Sequence, residues 1–300
     1  MQRRAFFCIP ALAAANSKLR ALIIDGMNNH DWIAGTRAIR QILEATGRFT
    51  VDVATTPAAL TDWRPDFRPY DVVINNFNGG HLATAARWPA AVEQALDDYV
   101  SRGGGLVVFH AANNAFLTWP RYNEMIGLGW RDPAFGPGLI IDEHKEQIKE
   151  VPPGTGPKPG HGPRHDFVIT MRDPRHAITR GLPKEWLHPA EQLTHGQHGP
   201  AASLKQLSIL TYAWSKDSRR REPMDWVRRW GRGRIYTTML GHTWRQERNP
   251  NLQCLGFTTL LARGAEWSAT GRVTLPVPAR FPTRETFALD DRISAEPAPG

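Results

Sequence analysis

Cysteines and long apolar runs are scarce in this sequence. Its 300 residues include two cysteines, Cys8 and Cys254, whereas a cysteine-ligated zinc site or a disulfide scaffold needs more sulfurs. The longest apolar run, residues 5–15, has eleven residues, and a helix that spans a bilayer needs about 20. The sequence therefore excludes both cysteine frameworks, and we expect no membrane span.

A dense block of charge is also missing. The chain holds 37 basic and 29 acidic residues, a formal net charge of +8, and a basic protein gains affinity for phosphates because counterions are released. The arginines are nevertheless scattered, and the one dense run, Arg219 to Arg221, falls in a polar stretch typical of a solvated loop. We therefore expect no nucleic-acid partner. Of the three functions that we consider, which are an enzyme, a sugar-binding domain and a protein that binds through a basic surface, the last is the weakest.

Histidine and tryptophan are abundant, with eleven of each. Hydrophobic residues make up 41% and charged residues 22% of the chain, which is typical of a globular protein with a large core. An indole offers a flat apolar face and one donor, and an imidazole binds a metal or carries a proton. This mixture favours a sugar-like ligand over a phosphate chain, and we expect no nucleotide cofactor.

Residues 1–17 have the features of an export signal. An arginine pair is followed by a short apolar stretch and by small residues around Ala11 to Ala15. The segment Arg3-Arg4-Ala5-Phe6 resembles the core of a twin-arginine signal. The alternative is an irregular start before the first strand. We expect a periplasmic or secreted protein, or a cytoplasmic one if the segment is not cleaved.

From residue 19 the pattern alternates between buried strands and amphipathic helices. Continuous apolar strands are predicted at 19–25, 50–54, 70–76 and 106–110, and helices at 33–46 and 88–102. Strands buried on both faces and separated by helices form a parallel sheet that helices cover. The sequence therefore predicts an open, mostly parallel α/β sheet with flanking helices.

The second half of the chain is predicted to add hairpin strands to this sheet. One edge strand is expected at 139–148 in a glycine- and proline-rich segment, followed by strands at 167–171, 207–214, 223–230 and 234–240 and a helix at 251–263. The sequence Gly231-Arg232-Gly233 predicts a tight turn between the last two strands. We expect one α/β domain over residues 18–273 and a C-terminal tail, 274–300, that lies over the surface.

Histidines follow four of the predicted strands. They are His30, His81, His110 and His242, and they stand at the carboxyl edge where ligands bind in open parallel sheets. Three of them, His30, His110 and His242, could hold a divalent ion such as zinc and leave positions for water or a hydroxyl group. They could equally act as acid and base without a metal, and the sequence leaves both hypotheses open.

Polar and aromatic residues near these strand ends are candidates for binding a sugar. They are Asn29, Trp32, Asn76, Asn113, Asn114 and Trp244. Amides pair with hydroxyl groups, and an indole face can stack on a sugar ring. Trp119 is a further candidate for stacking, although tryptophan is also a common core residue. Asp31 or Glu191 could complete the coordination of a metal or orient one of the histidines.

Five blocks of the sequence resemble those of the ThuA-like, trehalose-utilisation family. They are NNHDW at 28–32, GGGLVVFHAANNAF at 103–116, HGPRHDFVITMRDPRHAITRGLP at 161–183, WLHPAEQLTHG at 186–196 and EPMDWVRRWGRGRIYTTMLGHTW at 222–244. The resemblance extends over residues 19–273. It implies the flavodoxin-like fold of class I glutamine amidotransferases and a role in bacterial sugar catabolism.

The resemblance also indicates which residues take the central positions of that fold. In amidotransferases a nucleophilic cysteine follows the strand that corresponds to 106–110, and a catalytic histidine follows the strand that corresponds to 234–240. Here these positions hold His110 and His242. Because glutamine hydrolysis through a thioester requires a thiol, we expect the pocket of an amidotransferase without its chemistry.

One block departs from the family pattern. The family has His-x-x-Asp-Glu-Leu-Tyr where this chain has HPAEQLT at 188–194. Gln192 therefore replaces the family glutamate, and a carboxylate stands one position earlier, at Glu191. Glu191 is either a catalytic base or a carboxylate at a helix start or on the surface.

The leading hypothesis is an enzyme that acts on a sugar or a keto-sugar glycoside by hydrolysis, elimination or isomerisation. A 3-keto group acidifies the neighbouring C–H bond, so His110, His242 or Glu191 could act as acid or base, with a metal on the carbonyl. The alternative is a non-catalytic domain that binds sugars. A small carbohydrate is the expected partner in both cases, and a homo-oligomer is compatible with the sequence.

Overall fold

The structure, a computed structural model, describes residues 17–79, 86–142 and 146–299. Residues 1–16 of the predicted export signal and His81 lie outside these ranges. The strands are β1 Leu19–Asp25, β2 Phe49–Thr55, β3 Val72–Asn75, β4 Gly105–Phe109, β5 Gly138–Ile141, β6 Ile148–Val151, β7 Gly160–His161, β8 His165–Met171, β9 Glu185–Glu191, β10 Thr194–His195, β11 Ser208–Ser215, β12 Arg220–Trp230 and β13 Gly233–Thr238. The helices are α1 Trp32–Ala45, α2 Ala90–Ser101, α3 Pro120–Ile126, α4 Ala201–Leu204 and α5 Leu255–Thr270.

The strands within the described ranges form an open eleven-stranded sheet and a separate two-stranded ribbon. The sheet has the order β2-β1-β3-β4-β13-β12-β11-β8-β9, with β5 paired to β12 and β6 to β5, and β7 pairs with β10. The strands β2, β1, β3, β4 and β13, which stand first in this order, are parallel to one another. The remaining strands are antiparallel to their neighbours. The expected open α/β sheet with flanking helices and added hairpin strands is confirmed, including the turn at Gly231 to Gly233.

Helices cover both faces of the parallel half because side chains alternate between the two faces of a strand. On β1, Ala21 and Ile23 lie in an apolar cluster that includes residues of α1 and α5. Leu22 and Ile24 lie in a second cluster that includes residues of α2 and α3. None of the helices in the described part of the chain is long and apolar enough to cross a membrane.

The structure corrects the sequence predictions in the second half of the chain. In place of one edge strand at 139–148, β5 and β6 form a hairpin, and sequence reasoning missed β9 and α3. Glu191 is the last residue of β9 and its side chain is fully buried. Of the two alternatives for Glu191, the one that places it at a helix start or on the surface is therefore wrong. Arg220 and Arg221 belong to β12 instead of a solvated loop.

The C-terminal tail is anchored to the domain. Ile293 and Ala295 are 1% and 2% exposed, and the backbone N–H of Asn249 donates to the carbonyl of Ala295 at 2.6 Å. The backbone N–H of Ser294 donates to the side chain of Gln41 on α1 at 2.8 Å. The tail that the sequence placed over the surface thus contributes buried side chains and hydrogen bonds to the fold.

Ile293→Ala tests whether this anchoring stabilises the protein. We expect the free energy of unfolding to fall by about 2 to 4 kcal/mol, because the substitution removes a buried side chain and leaves a cavity. Urea denaturation followed by circular dichroism measures the change. Phe287→Ala, at a tail position that is 44% exposed, is the matched control and should cost less than about 0.5 kcal/mol. Equal, small effects at both positions would contradict the anchoring.

Candidate active site

Three parallel strands bring three histidines to one edge of the sheet. Because β1, β4 and β13 run in the same direction, the loops that follow them meet at their carboxyl ends. These loops hold His30, His110 and His242. Their ring centroids lie 5.0, 4.3 and 5.0 Å apart, and one ring nitrogen from each lies within 4.8 Å of the other two. We call these residues the histidine cluster.

His110 occupies a strained turn directly after β4. Its φ angle of 42° lies in the left-handed region, which is costly for a residue with a side chain and is common at ligand sites. Its Nδ1 lies 2.6 Å from the carbonyl oxygen of Met239. Since a carbonyl can only accept, Nδ1 carries the proton and Nε2 keeps the lone pair. Burial lowers the pKa of His110, which favours the neutral ring.

The orientation of His30 is set by Asn28. The Asn28 amide nitrogen donates to the carbonyl of Asn76 at 2.9 Å, which directs its Oδ1 towards His30. That oxygen accepts from the backbone N–H of His30 at 3.0 Å and lies 3.1 Å from its Nδ1. Nδ1 of His30 therefore carries the proton, and Nε2 is the acceptor nitrogen of the ring. Such bonds to the other nitrogen are what orients histidines that bind metals.

The backbone at His242 is held by the buried carboxylate of Glu191. Glu191 accepts from the N–H of Gly241 at 2.7 Å, from the N–H of His242 at 3.3 Å and from the Asn251 amide at 2.9 Å. Gly241 has a φ of 101°, and a Cβ there would lie 2.5 Å from the ring of Phe109, so only glycine fits this turn. Glu191 thus fixes the position from which His242 projects.

Glu191 is in turn paired with His188. The Nε2 of His188 lies 3.4 Å from a Glu191 oxygen, and both side chains are fully buried. Burial alone would favour the neutral ring, yet Cys254 and the Glu191 carboxylate raise the pKa of His188 to about 9. The pKa of Glu191 is lowered, because the hydrogen bond and charge of His188 outweigh burial. The pair is therefore charged at neutral pH.

The histidine cluster lines a polar cavity of about 160 Å³. Its lining comprises Asn29, His30, His110, Ala111, Asn113, Asn114, Trp130, His161, Gln192, Thr194, Met239 and His242. The buried oxygens of Asn113, Asn114 and Gln192 and the Nδ1 of His242 have no hydrogen-bond partner among the described residues. Buried acceptors without partners are rare in folded proteins, so this cavity suits a ligand that donates several hydrogen bonds. None of the described lining residues is a carboxylate.

Only part of the predicted site lines this cavity. The cavity brings together the histidine cluster and Asn29, Asn113 and Asn114. Asn76 instead donates to the Trp32 carbonyl and to Thr36, each at 3.1 Å. Trp32 lines a neighbouring cavity, and Trp119 is 6% exposed in an apolar cluster.

Trp244 supports His242 from outside the cavity. The two rings have centroids 4.0 Å apart and are tilted by 35°. The guanidinium of Arg164 lies 4.3 Å from the centre of the indole. The predicted stacking residue is therefore in contact with the histidine cluster and does not line the cavity beside it.

Sequence reasoning missed His161 and Trp130 as residues of the cavity, and it identified Gln192 only as the replacement of the family glutamate. His161 is exposed on β7, with its ring centroid 6.4 Å from that of His242 and 5.9 Å from that of Trp130. The only sequence signal for His161 was its place in a block shared with the family. Gln192, at the position of the family glutamate, lines the cavity with an amide.

The donor set of the histidine cluster fits a divalent ion of the zinc type. Three neutral imidazoles are a common set in catalytic zinc sites, and nitrogens bound tetrahedrally lie about 3.3 Å apart. The ring nitrogens of the cluster lie within 4.8 Å of one another, so the nitrogens would have to approach one another by up to about 1.5 Å to hold an ion. Asp31 is engaged elsewhere, since its carboxylate accepts from the N–H groups of Ala34 at 3.0 Å and Ala298 at 2.8 Å.

The chain matches the sequence model of the ThuA family, described as trehalose utilisation, over residues 20–268. This protein belongs to the ThuA family. The match covers the parallel sheet, the histidine cluster and the cavity, so the resemblance found in the five sequence blocks is confirmed. A search among curated proteins found no match.

A solved structure supports the ThuA assignment, and a second one shares the fold. A protein from Parabacteroides merdae named as ThuA-like is 35% identical in sequence, with a TM-score of 0.84 over 93% of this chain and 99% of that one. Another from Bacteroides uniformis is 16% identical, with a TM-score of 0.57 over 89% of this chain and 97% of that one. The second similarity concerns the fold alone.

The charged pair of His188 and Glu191 predicts how stability depends on pH. His188 has a pKa of about 9 in the fold but about 6.5 in the unfolded chain. The charged His188 therefore contributes fully to the free energy of unfolding below about pH 6.5, and this contribution is lost as the pH rises through about 9. Urea denaturation across this window should show a decline in the free energy of unfolding that His188→Gln removes. His165→Gln is the control and should keep the decline; an identical pH profile for His188→Gln would contradict the pairing.

Proposed function

We propose that this ThuA-family protein is a metal-dependent enzyme that cleaves a keto-sugar glycoside in the cavity beside the histidine cluster. The observation that carries the proposal is that one small cavity is lined both by the histidine cluster and by three residues whose buried amide oxygens have no partner among the described residues. The histidines suit a metal ion, and the amide oxygens suit the hydroxyl groups of a sugar. The family description, trehalose utilisation, agrees with a carbohydrate substrate.

The histidine cluster would hold the metal. A divalent ion there would act as a Lewis acid on a carbonyl oxygen of the substrate. His110 and His30 would bind through Nε2, because Nδ1 of each ring donates to an oxygen of the protein. Glu191 would act through the backbone of His242 and would not touch the substrate.

Asn113, Asn114 and Gln192 would bind the sugar. Each presents a buried oxygen without a partner among the described residues, and each would accept a hydrogen bond from a hydroxyl group. Leaving such acceptors unpaired is costly, so a site of this kind selects ligands that supply donors. Trp130 would supply an aromatic wall beside them.

The lining of the cavity favours elimination over conventional glycoside hydrolysis. Most glycosidases use two carboxylic acids that flank the scissile bond, and the described lining residues include none. A 3-keto glycoside offers another route, because one carbon separates its ketone carbon from its anomeric carbon. A base removes the proton from this middle carbon, and the electron pair forms a C=C bond to the anomeric carbon. The bond between the anomeric carbon and the glycosidic oxygen then breaks as the leaving oxygen takes up a proton.

His161 is the residue best placed to move this proton. It lines the cavity but is not one of the three clustered ligands. Its Nδ1 lies 3.1 Å from the carbonyl oxygen of Gly162, so Nδ1 carries the proton and Nε2 is left as the acceptor. An imidazole on an exposed ribbon can accept a proton from the substrate through this nitrogen and return it to the leaving group.

His110→Ala tests the metal site. Protein purified without a histidine tag should contain about one zinc or similar ion per chain, and the variant should contain none, because one of three ligands is lost. Mass spectrometry of the metal content measures both. Burial lowers the pKa of His110 and of His242, so protons should compete with the metal only below about pH 6.5.

His165→Ala is the matched control for metal content, since His165 does not line the cavity. It should retain the metal of the wild-type protein. Equal metal content in His110→Ala would contradict the site. Full activity after exhaustive chelation would contradict the role of a metal in the reaction.

His161→Ala tests the proton-transfer role. With 3-keto-trehalose as substrate, kcat should fall about 10²- to 10⁴-fold, the usual contribution of a general acid or base, while the metal content stays that of the wild type. Loss of metal in this variant would make His161 a ligand. Tight binding of the sugar with no turnover by the wild-type protein would instead support a non-catalytic sugar-binding domain.

A further inference from the structure

We propose that a second cavity beside His30 binds the leaving sugar of a disaccharide substrate. The inference rests on the proposed function and specifies its substrate class. This outer cavity has a volume of about 210 Å³, and its lining includes His30, Trp32, Ile33, Arg245, Gln246 and Ala298. His30 lines both cavities, so the two cavities lie next to the same member of the histidine cluster. A disaccharide would place one ring in each cavity and its linking oxygen beside His30.

The lining of the outer cavity has the chemistry of a sugar subsite. Trp32 is half-buried and Ile33 is 47% exposed, which provides apolar surface for the face of a ring. Arg245 and Gln246 provide polar groups at the rim. An apolar wall with a few polar groups is typical of sites for small polar ligands.

The polar side of the outer cavity is fixed in position. Arg245 donates to the carbonyl oxygens of Asn28 at 3.2 Å and His30 at 3.4 Å, which joins the loop after β13 to the loop after β1. Gln246 has a φ of 62°, in the left-handed region. Strained residues of this kind are concentrated at ligand sites.

The C-terminal tail supplies the third wall. The N–H of Ala298 donates to the Asp31 carboxylate at 2.8 Å, and the guanidinium of Arg37 donates to the carbonyl of Pro297 at 3.3 Å. Asp31 also caps α1. The same carboxylate therefore holds both the start of the helix and the C-terminal tail, and Asp31 itself lines the outer cavity.

The inference is tested by comparing 3-keto-trehalose with methyl 3-keto-α-glucoside, which lacks the second ring. The wild-type protein should turn over the disaccharide with a kcat/KM about tenfold higher, the scale of a few apolar contacts. Ala298→Trp would fill the outer cavity and should remove most of this preference, lowering kcat/KM much more for the disaccharide than for the methyl glycoside.

Gln246→Gly provides an independent variant that keeps the fold, because glycine adopts a φ of 62° without strain. It should also reduce the preference for the disaccharide. Trp214→Ala, at a position that is 49% exposed and lines neither cavity, is the control and should leave both kcat/KM values unchanged. Thermal denaturation of each variant confirms folding.

The outcomes separate the two proposals. Equal kcat/KM for both substrates, or equal losses for both in Ala298→Trp and Gln246→Gly, would overturn the outer subsite while the turnover of both substrates upholds the proposed function. Turnover of neither substrate by the metal-loaded wild-type protein would overturn the proposed function and the subsite with it.

Discussion

The shared direction of β1, β4 and β13 is the constraint on which the site depends. The three histidines are far apart in the sequence, and each follows a different strand. Parallel pairing places all three strand ends at one edge, so side chains from three loops meet there without any local motif that joins them. The order β2-β1-β3 also reverses the direction of chain progression next to β1, which is where a crevice forms in open sheets.

The buried charge of Glu191 links the two halves of the sheet. In strand order β9 lies at the far end of the antiparallel half, yet its last residue contacts the loop after β13. β9 also contacts α5, so the last strand of the antiparallel half lies close to a helix that covers the parallel half. A carboxylate in the interior is stable only with several donors and an opposite charge, and Gly241, His242, Asn251 and His188 supply them.

The sequence was informative where structure is locally determined. Continuous apolar runs located β1 and β4 to within a residue, and the resemblance to the amidotransferase fold placed His110 and His242 at the two central strand ends. β9 was missed because its sequence, EWLHPAE, contains proline and does not alternate. The approach of His161 to the cavity depends on the pairing of β7 with the distant β10, and the contact of Trp244 with His242 depends on tertiary packing. Neither leaves a periodic signal.

Because the tail is anchored, the packed domain extends further along the chain than the region that matches the family. The family match stops at residue 268, whereas Ile293 and Ala295 are buried in the domain and Ala298 borders the outer cavity. Relatives could therefore keep the three strand ends and their histidines while the segment beyond α5 diverges. In such a lineage the histidine cluster would be inherited with the sheet, while the lining of the outer cavity would change with the C-terminal segment.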